Sequence, residues 1–210
     1  MIAIIDYGMG NIHSVQKALE SMGAQTIVTN SPLDIKTCDK AVLPGVGAFG
    51  DAMLEIEKQR LARVIKEHIK KNKAFLGICL GMHLLFDSSE ESPGIKGMSL
   101  LKGTVKKFQA RNMTKVPHMG WNQLRKVTRS ESHKVASECP LFKDIPDNSY
   151  VYFCHSYYPE LKNKENIAAL TGYGIDFASV IWQDNIFATQ FHPEKSQSVG
   201  LKMLENFVRL

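Results

Sequence analysis

Ala74-Phe75-Leu76-Gly77-Ile78-Cys79-Leu80-Gly81 is the stretch whose reading decides the fold. Residues 74–78 are apolar throughout, as expected of a central strand whose sheet is covered on both faces. Gly77 and Gly81 then bracket Cys79 in the Gly-x-nucleophile-x-Gly arrangement of a strand-to-helix elbow. A nucleophile in such a turn requires small residues two before and two after it, so that strand and helix can approach. The sulfur then projects above the carboxyl edge of the sheet, where α/β proteins bind ligands. A helix N-terminus beneath it favours thiolate over thiol. The N–H of Leu80 is free there to donate to a developing oxyanion. The competing reading, a buried cysteine packing as a small hydrophobe, is disfavoured by both glycines and by the strand before them.

Upstream of this elbow the chain alternates strand, turn and helix. Residues 2–5 read as a first strand ended by Asp6-Tyr7-Gly8-Met9-Gly10. Ile12, Val15, Leu19 and Met22 recur at helical spacing, with Gly23 as a C-cap. Residues 25–29 and 40–43 predict a second and a third strand, the third broken by Pro44-Gly45-Val46-Gly47. One long amphipathic helix is expected from about Asp51 to Ile69, with Leu54, Leu61, Val64, Ile65 and Ile69 on its buried side. Downstream, segments near 104–109, 122–126, 150–154, 165–172, 178–182 and 186–190 read as strands, with Asp184-Asn185 as a hairpin turn. A closing helix carries Leu201, Leu204, Phe207 and Val208 inward. The expectation is one domain over residues 1–210. Its fold class is α/β: an open, mainly parallel sheet with helices on both faces, extended by antiparallel strands in the second half.

The balance of 44% apolar and 22% charged residues in 210 is that of an ordinary globular protein. No run approaches the ~20 apolar residues of a membrane span, and the start lacks the pattern of a secretion signal. The four cysteines, Cys38, Cys79, Cys139 and Cys154, form no Cys-x-x-Cys pair. That argues against a disulfide framework and against zinc, and points to reduced thiols in the cytoplasm. No metal or other cofactor is expected. Net charge is +5, with small clusters at Lys70, Lys71, Lys73 and at Lys102, Lys106, Lys107. Without a nucleic-acid-reading element these are solvated faces or a partner-docking patch.

A thiol nucleophile needs a histidine base, and the histidine needs an orienting acceptor. Of seven histidines, His192 fits best. It follows the strand at 186–190 and opens Phe191-His192-Pro193-Glu194-Lys195-Ser196. In an extended segment Glu194, two residues on, lies on the same side as His192, where it can fix the tautomer and stabilise the imidazolium. His83 is four residues after Cys79 and shares a helix face with it, but an elbow nucleophile normally meets a base from another loop. His13, His68 and His133 read as surface residues. His118 and His155 read as loop residues able to line a site.

The Gly-Ile-Cys-Leu-Gly elbow followed far downstream by Phe-His-Pro-Glu resembles the triad class of glutamine amidotransferase domains. Asp6-Tyr7-Gly8-Met9-Gly10-Asn11, Pro44-Gly45-Val46-Gly47, Val116-Pro117-His118-Met119-Gly120-Trp121-Asn122 and His192-Pro193-Glu194-Lys195-Ser196 narrow it. Together they resemble the glutaminase subunits of imidazole glycerol phosphate synthases, over essentially the whole chain. The resemblance implies Cys79 as nucleophile, His192 as base and Glu194 as its orienter. It implies an oxyanion hole from Leu80 and from the Val46-Gly47 strand. It places Gly45, His83, Ser156 and Tyr157 at the glutamine and Asn11, Trp121, Tyr152 and Lys195 near the partner interface. The partner implied is a (β/α)8-barrel cyclase subunit in a heterodimer, which receives ammonia and makes imidazole glycerol phosphate and AICAR in histidine biosynthesis. Neither nucleic acid nor membrane is implied.

His83 departs from the family, which usually carries Gln there in contact with glutamine; a histidine can still donate one hydrogen bond. Three alternatives stay open. One is a paralogous glutaminase feeding another synthase, such as one that aminates a sugar in glycan biosynthesis. Another is a non-catalytic interaction subunit, and the last a cysteine hydrolase or peptidase with a similar elbow.

Overall fold

The computed structural model describes residues 1–109, 115–127 and 138–210; His133 lies outside them. Strands β1 (Ile2–Ile5), β2 (Thr26–Thr29), β3 (Lys40–Gly45) and β4 (Phe75–Cys79) pair in parallel in the order β2-β1-β3-β4. Helices α1 (Ile12–Glu20), α2 (Pro32–Thr37), α3 (Phe49–Lys58), α4 (Leu61–Lys70) and the short α5 (Leu80–His83) connect or follow them. The second half supplies β5 (Ser88–Ser89), β6 (Gly103–Lys107), β7 (His118–Lys126), β8 (Ser149–His155), β9 (Tyr157–Leu161), β10 (Ile167–Gly172), β11 (Asp176–Gln183) and β12 (Ile186–Thr189). Helix α6 (Gln197–Arg209) closes the chain.

Among the described residues the main sheet runs β2-β1-β3-β4-β12-β11-β10-β7-β8. It is parallel as far as β12 and antiparallel beyond. A small second sheet is β5-β6-β9. The mainly parallel α/β expectation with an antiparallel extension therefore holds.

Every residue of β4 is buried, between β3 and β12. The strand faces divide the core in two. Ala3, Ile5, Leu43 and Phe75 pack with α2, α3 and α4 on one side. Ile2, Ile4, Val42, Leu76 and Ile78 pack with α1 and α6 on the other. This period-two division of buried residues serves two helical layers, and the parallel direction of β1–β4 and β12 puts their carboxyl ends on one edge.

Several elements differ from expectation. The single helix at 51–69 is two helices, α3 and α4, broken where Arg60 adopts a left-handed φ of 58°. The break lets each half turn its own stripe inward: Ala52, Met53 and Ile56, then Leu61, Val64, Ile65 and Ile69. Leu54 falls outside both stripes and is exposed. Leu201 is likewise on the open side of α6, whereas Leu204 and Phe207 are buried. Strand β3 continues through Pro44 and Gly45, because the last register pair with β1 is Ile4 with Val42 and the missing N–H of Pro44 falls beyond it. His68 is fully buried, its Nδ1 donating to the Ile35 carbonyl at 2.9 Å. His118 and His155 lie in β7 and β8, paired with each other in register.

The elbow is a tightly constrained point of the backbone. Cys79 has φ 55° and ψ −109°, a region non-glycine residues occupy only under constraint. A Cβ on Gly81 would stand 1.9 Å from the Leu43 carbonyl oxygen, and one on Gly77 would stand 2.9 Å from the Gly81 oxygen. Gly81→Ala therefore forces β3 and α5 apart. The expected cost is ~3 kcal/mol or more, a fall of roughly 6–12 °C in thermal midpoint for a domain this size. Circular dichroism melting of that variant against wild type checks it, and an unchanged midpoint refutes the close packing.

Candidate active site

A cavity of about 350 Å³ opens at the carboxyl edge of β4, lined by Cys79, Leu80, His83, Val46, Gly47 and His192, among others. Two connections distant in sequence meet there. The elbow brings Cys79 from β4, and the segment after β12, adjacent and parallel to β4, brings His192. The His192 side chain lines this cavity with Cys79 and is hydrogen-bonded through Nδ1 to Glu194 Oε1 at 2.9 Å. Both the imidazole and the carboxylate are almost wholly buried.

The geometry that joins His192 to Glu194 differs from the extended one expected. Pro193–Lys195 form one 3-10 turn, which folds the carboxylate back beneath the ring. Three contacts hold this turn. The Ser196 hydroxyl donates to the His192 carbonyl at 2.7 Å and accepts from the Tyr152 N–H at 3.0 Å. The His192 N–H donates to the Tyr152 carbonyl. Gly200 of α6 lies so close that a Cβ there would stand 2.0 Å from the Pro193 oxygen. Ser196 belongs to the motif, but its bracing of the turn depends on β8 packing against it, which the motif alone does not record.

Burial by itself would push the His192 imidazole down. Its hydrogen bonds to Cys79 and Glu194, and the negative charge of both, outweigh that and carry it up to about 10 from an ordinary 6.5. The neighbouring histidines go the other way. Burial pulls His83 to about 4 against a hydrogen bond from its Nε2 to Gln190 Oε1 at 2.7 Å. Burial also pulls His118 to about 4 and holds His155 well below its usual value. His155 Nδ1 donates to the Tyr157 carbonyl at 2.7 Å, leaving its Nε2 to accept from His118 Nδ1 at 2.9 Å. Of these buried rings, His192 alone is pushed up, and its neighbours are pushed down.

Most expected site residues gather at this cavity. Leu80, Val46, Gly47, His83, Ser156 and Tyr157 line it. Gly45 is set behind it, buried against Tyr7 and the elbow. Lys195, expected at the partner interface, is exposed at the cavity wall. Trp121 and Tyr152 are register partners on β7 and β8 with ring centroids 6.0 Å apart. Asn11 stands at the start of α1, on the carboxyl side of β1. The lining also includes Glu91, whose Oε2 accepts from the Phe49 N–H at 2.8 Å, and Cys154, whose carbonyl lies 3.9 Å from Cys79 Sγ. No motif flagged these two; Glu91 follows β5, a strand of two residues with no sequence pattern.

The family model for class-I glutamine amidotransferases matches residues 3–210. Solved structures share the fold. A glutamine amidotransferase superposes with TM-score 0.72 at 13% identity over 100% of both chains. PurLQS from Thermotoga maritima gives 0.70 at 16% identity over 99% of this chain and 97% of that one. The imidazole glycerol phosphate synthase subunit HisH of Methanocaldococcus jannaschii is 47% identical over 100% of both chains. That of Acinetobacter baylyi is 46% identical over 99% of this chain and 97% of its own. The chain belongs to the class-I glutamine amidotransferases and, within them, to the family of imidazole glycerol phosphate synthase HisH subunits.

The raised His192 has a consequence for stability. The folded protein keeps a proton on His192 that the unfolded chain, at about 6.5, gives up. The stabilisation is complete below about pH 6.5 and is lost as pH climbs towards 10. Cys79→Ala removes one of the two partners that hold the proton. The decline in thermal midpoint between pH 7 and pH 10 is therefore expected to be shallower in Cys79→Ala than in wild type. Parallel declines would contradict the raised value.

Proposed function

We propose that this chain hydrolyses L-glutamine to glutamate and ammonia as the glutaminase subunit of a cytoplasmic imidazole glycerol phosphate synthase. The observation that carries the reading is the convergence of Cys79 with the hydrogen-bonded His192–Glu194 pair on one cavity. The thiolate of Cys79 attacks the side-chain carbonyl carbon of glutamine, and the carbonyl π electrons move onto oxygen. The N–H of Leu80, first residue of α5, and an N–H from the Val46-Gly47 segment hold that oxyanion. His192, already protonated, gives its proton to the nitrogen as the C–N bond breaks, and ammonia leaves. Water then attacks the glutamyl thioester. His192 takes a proton from the water, and C–S cleavage regenerates Cys79. Glu194 orients the ring and stabilises the imidazolium.

The cavity suits an amino acid. The Glu91 carboxylate, partly used by the Phe49 N–H, has acceptor capacity for the α-ammonium, and Ser156 and Tyr157 lie on the same wall. His83 gives its Nε2–H to Gln190, which leaves Nδ1 as an acceptor for the amide or ammonium N–H of the substrate. Ammonia is passed to a (β/α)8-barrel cyclase subunit in a heterodimer, which makes imidazole glycerol phosphate and AICAR in histidine biosynthesis. The docking face is the exposed side of β7 and β8. Met119, Trp121 and Tyr150 are exposed there, and Tyr152 and Cys154 alternate on the same side, Cys154 reaching the cavity wall. An apolar, aromatic patch that runs to the mouth of the site fits a partner that must receive ammonia before bulk water protonates it.

Cys79→Ala in the assembled complex is expected to lower ammonia release by at least about 10⁴-fold while co-purification with the cyclase subunit persists. Substantial residual glutaminase refutes the nucleophile assignment. Growth of a histidine-requiring strain lacking its own glutaminase subunit, restored by this chain with its cyclase, tests the acceptor. Failure to restore growth with glutaminase intact points to a different synthase.

A further inference from the structure

Tyr7 carries a phenol that the steps above do not use. It follows β1 and is fully buried, and its hydroxyl has no hydrogen-bond partner among the described residues. Buried hydroxyls nearly always have one, so this group waits for an acceptor that the resting arrangement does not offer. Burial, and after it the charge of Cys79, raises the phenol well above the usual tyrosine range; it is a donor at any physiological pH. Its surroundings narrow the choice of acceptor. The hydroxyl lies 2.5 Å from the point a Cβ on Gly45 would occupy. The Gly45–Val46 peptide thus stands between the cavity, which Val46 lines, and the Tyr7 hydroxyl behind it.

A trans peptide is planar, with its N–H and C=O pointing in opposite directions. When the Val46 N–H points into the cavity, the Gly45 carbonyl points into the interior, where it would be buried and unsatisfied unless a donor met it. Gly45 has no side chain to obstruct such a rotation, and Gly47 holds φ 102° on the other side of Val46. We propose that the Tyr7 hydroxyl donates to the Gly45 carbonyl when the Val46 N–H is turned towards the oxyanion, so that Tyr7 is a positioning residue that latches the oxyanion-binding peptide in its productive orientation. The inference rests on the glutaminase reading. It adds a device that the resting structure leaves open: the hydroxyl has no partner until the peptide turns.

Tyr7→Phe in the complex with the cyclase subunit is the test. It removes one oxygen that has no partner in the resting protein, so the thermal midpoint is expected to hold or rise. The kcat for ammonia release is expected to fall about tenfold, the worth of one hydrogen bond made only in the transition state, with KM for glutamine little changed. The pH profile of Cys79 alkylation by iodoacetamide is expected to stay in place. An unchanged kcat overturns the latch. So does an alkylation profile moved to higher pH, since the hydroxyl would then serve the sulfur. So does a lowered midpoint with kcat and KM damaged together, which marks a structural hydroxyl. Wild-type complex assayed alongside separates the two levels. If it releases no ammonia, the glutaminase reading itself fails. If it is active and Tyr7→Phe matches it, the latch alone fails.

Discussion

The approach of Gly81 to the Leu43 carbonyl sets the position of everything else. With hydrogen in place of a side chain at 77 and 81, the start of α5 folds back against β4 and β3, leaving Cys79 at the top of the turn with φ 55°. That backbone conformation is costly for a residue with a Cβ. It persists because β4 is pinned between two parallel neighbours and buried on both faces. The rigid centre of the sheet holds the sulfur where a mobile loop would let it relax.

Around this fixed sulfur the electrostatics are asymmetric. Four buried histidines crowd one side of the sheet's edge, and three are held neutral by burial. His192 alone of these is pushed up, burial being outweighed by Cys79 and Glu194 beside it. The neutral rings have other work: His118 and His155 form a hydrogen-bonded pair between β7 and the Tyr157 segment, and His83 is tied to Gln190. Their lowered values keep competing positive charge away from His192.

The sequence made legible those features in which a backbone constraint or a periodicity leaves a local mark. The glycines at 77 and 81, the apolar run of β4, the Asp184-Asn185 turn and the His-Pro-Glu motif all carry such marks, and each stands where it was expected along the chain, the last in a 3-10 turn instead of an extended segment. Helix α2 carries a local mark too: Ser31 caps it through the Asp34 N–H, with Pro32 in its first turn. The break at Arg60 has no glycine or proline; the buried stripe of α3 (Ala52, Met53, Ile56) and that of α4 (Leu61, Val64, Ile65, Ile69) are out of phase across it, a mark the single amphipathic pattern over 51–69 does not show. Strand β9 was hidden by Pro159, which an edge strand tolerates.

The sequence by itself determined the α/β alternation, the strained elbow and the pair of motifs whose order identifies the family. These depend on residue types at short spacing, where local sterics act. Only the tertiary structure decided that Glu194 reaches His192 through a 3-10 turn, that Ser196 and Gly200 brace that turn, and that Glu91, Cys154 and the orphan hydroxyl of Tyr7 stand around the sulfur. Those contacts join β1, β4, β8 and the segment after β12. Their proximity follows from strand order and packing, which no local pattern in the chain records.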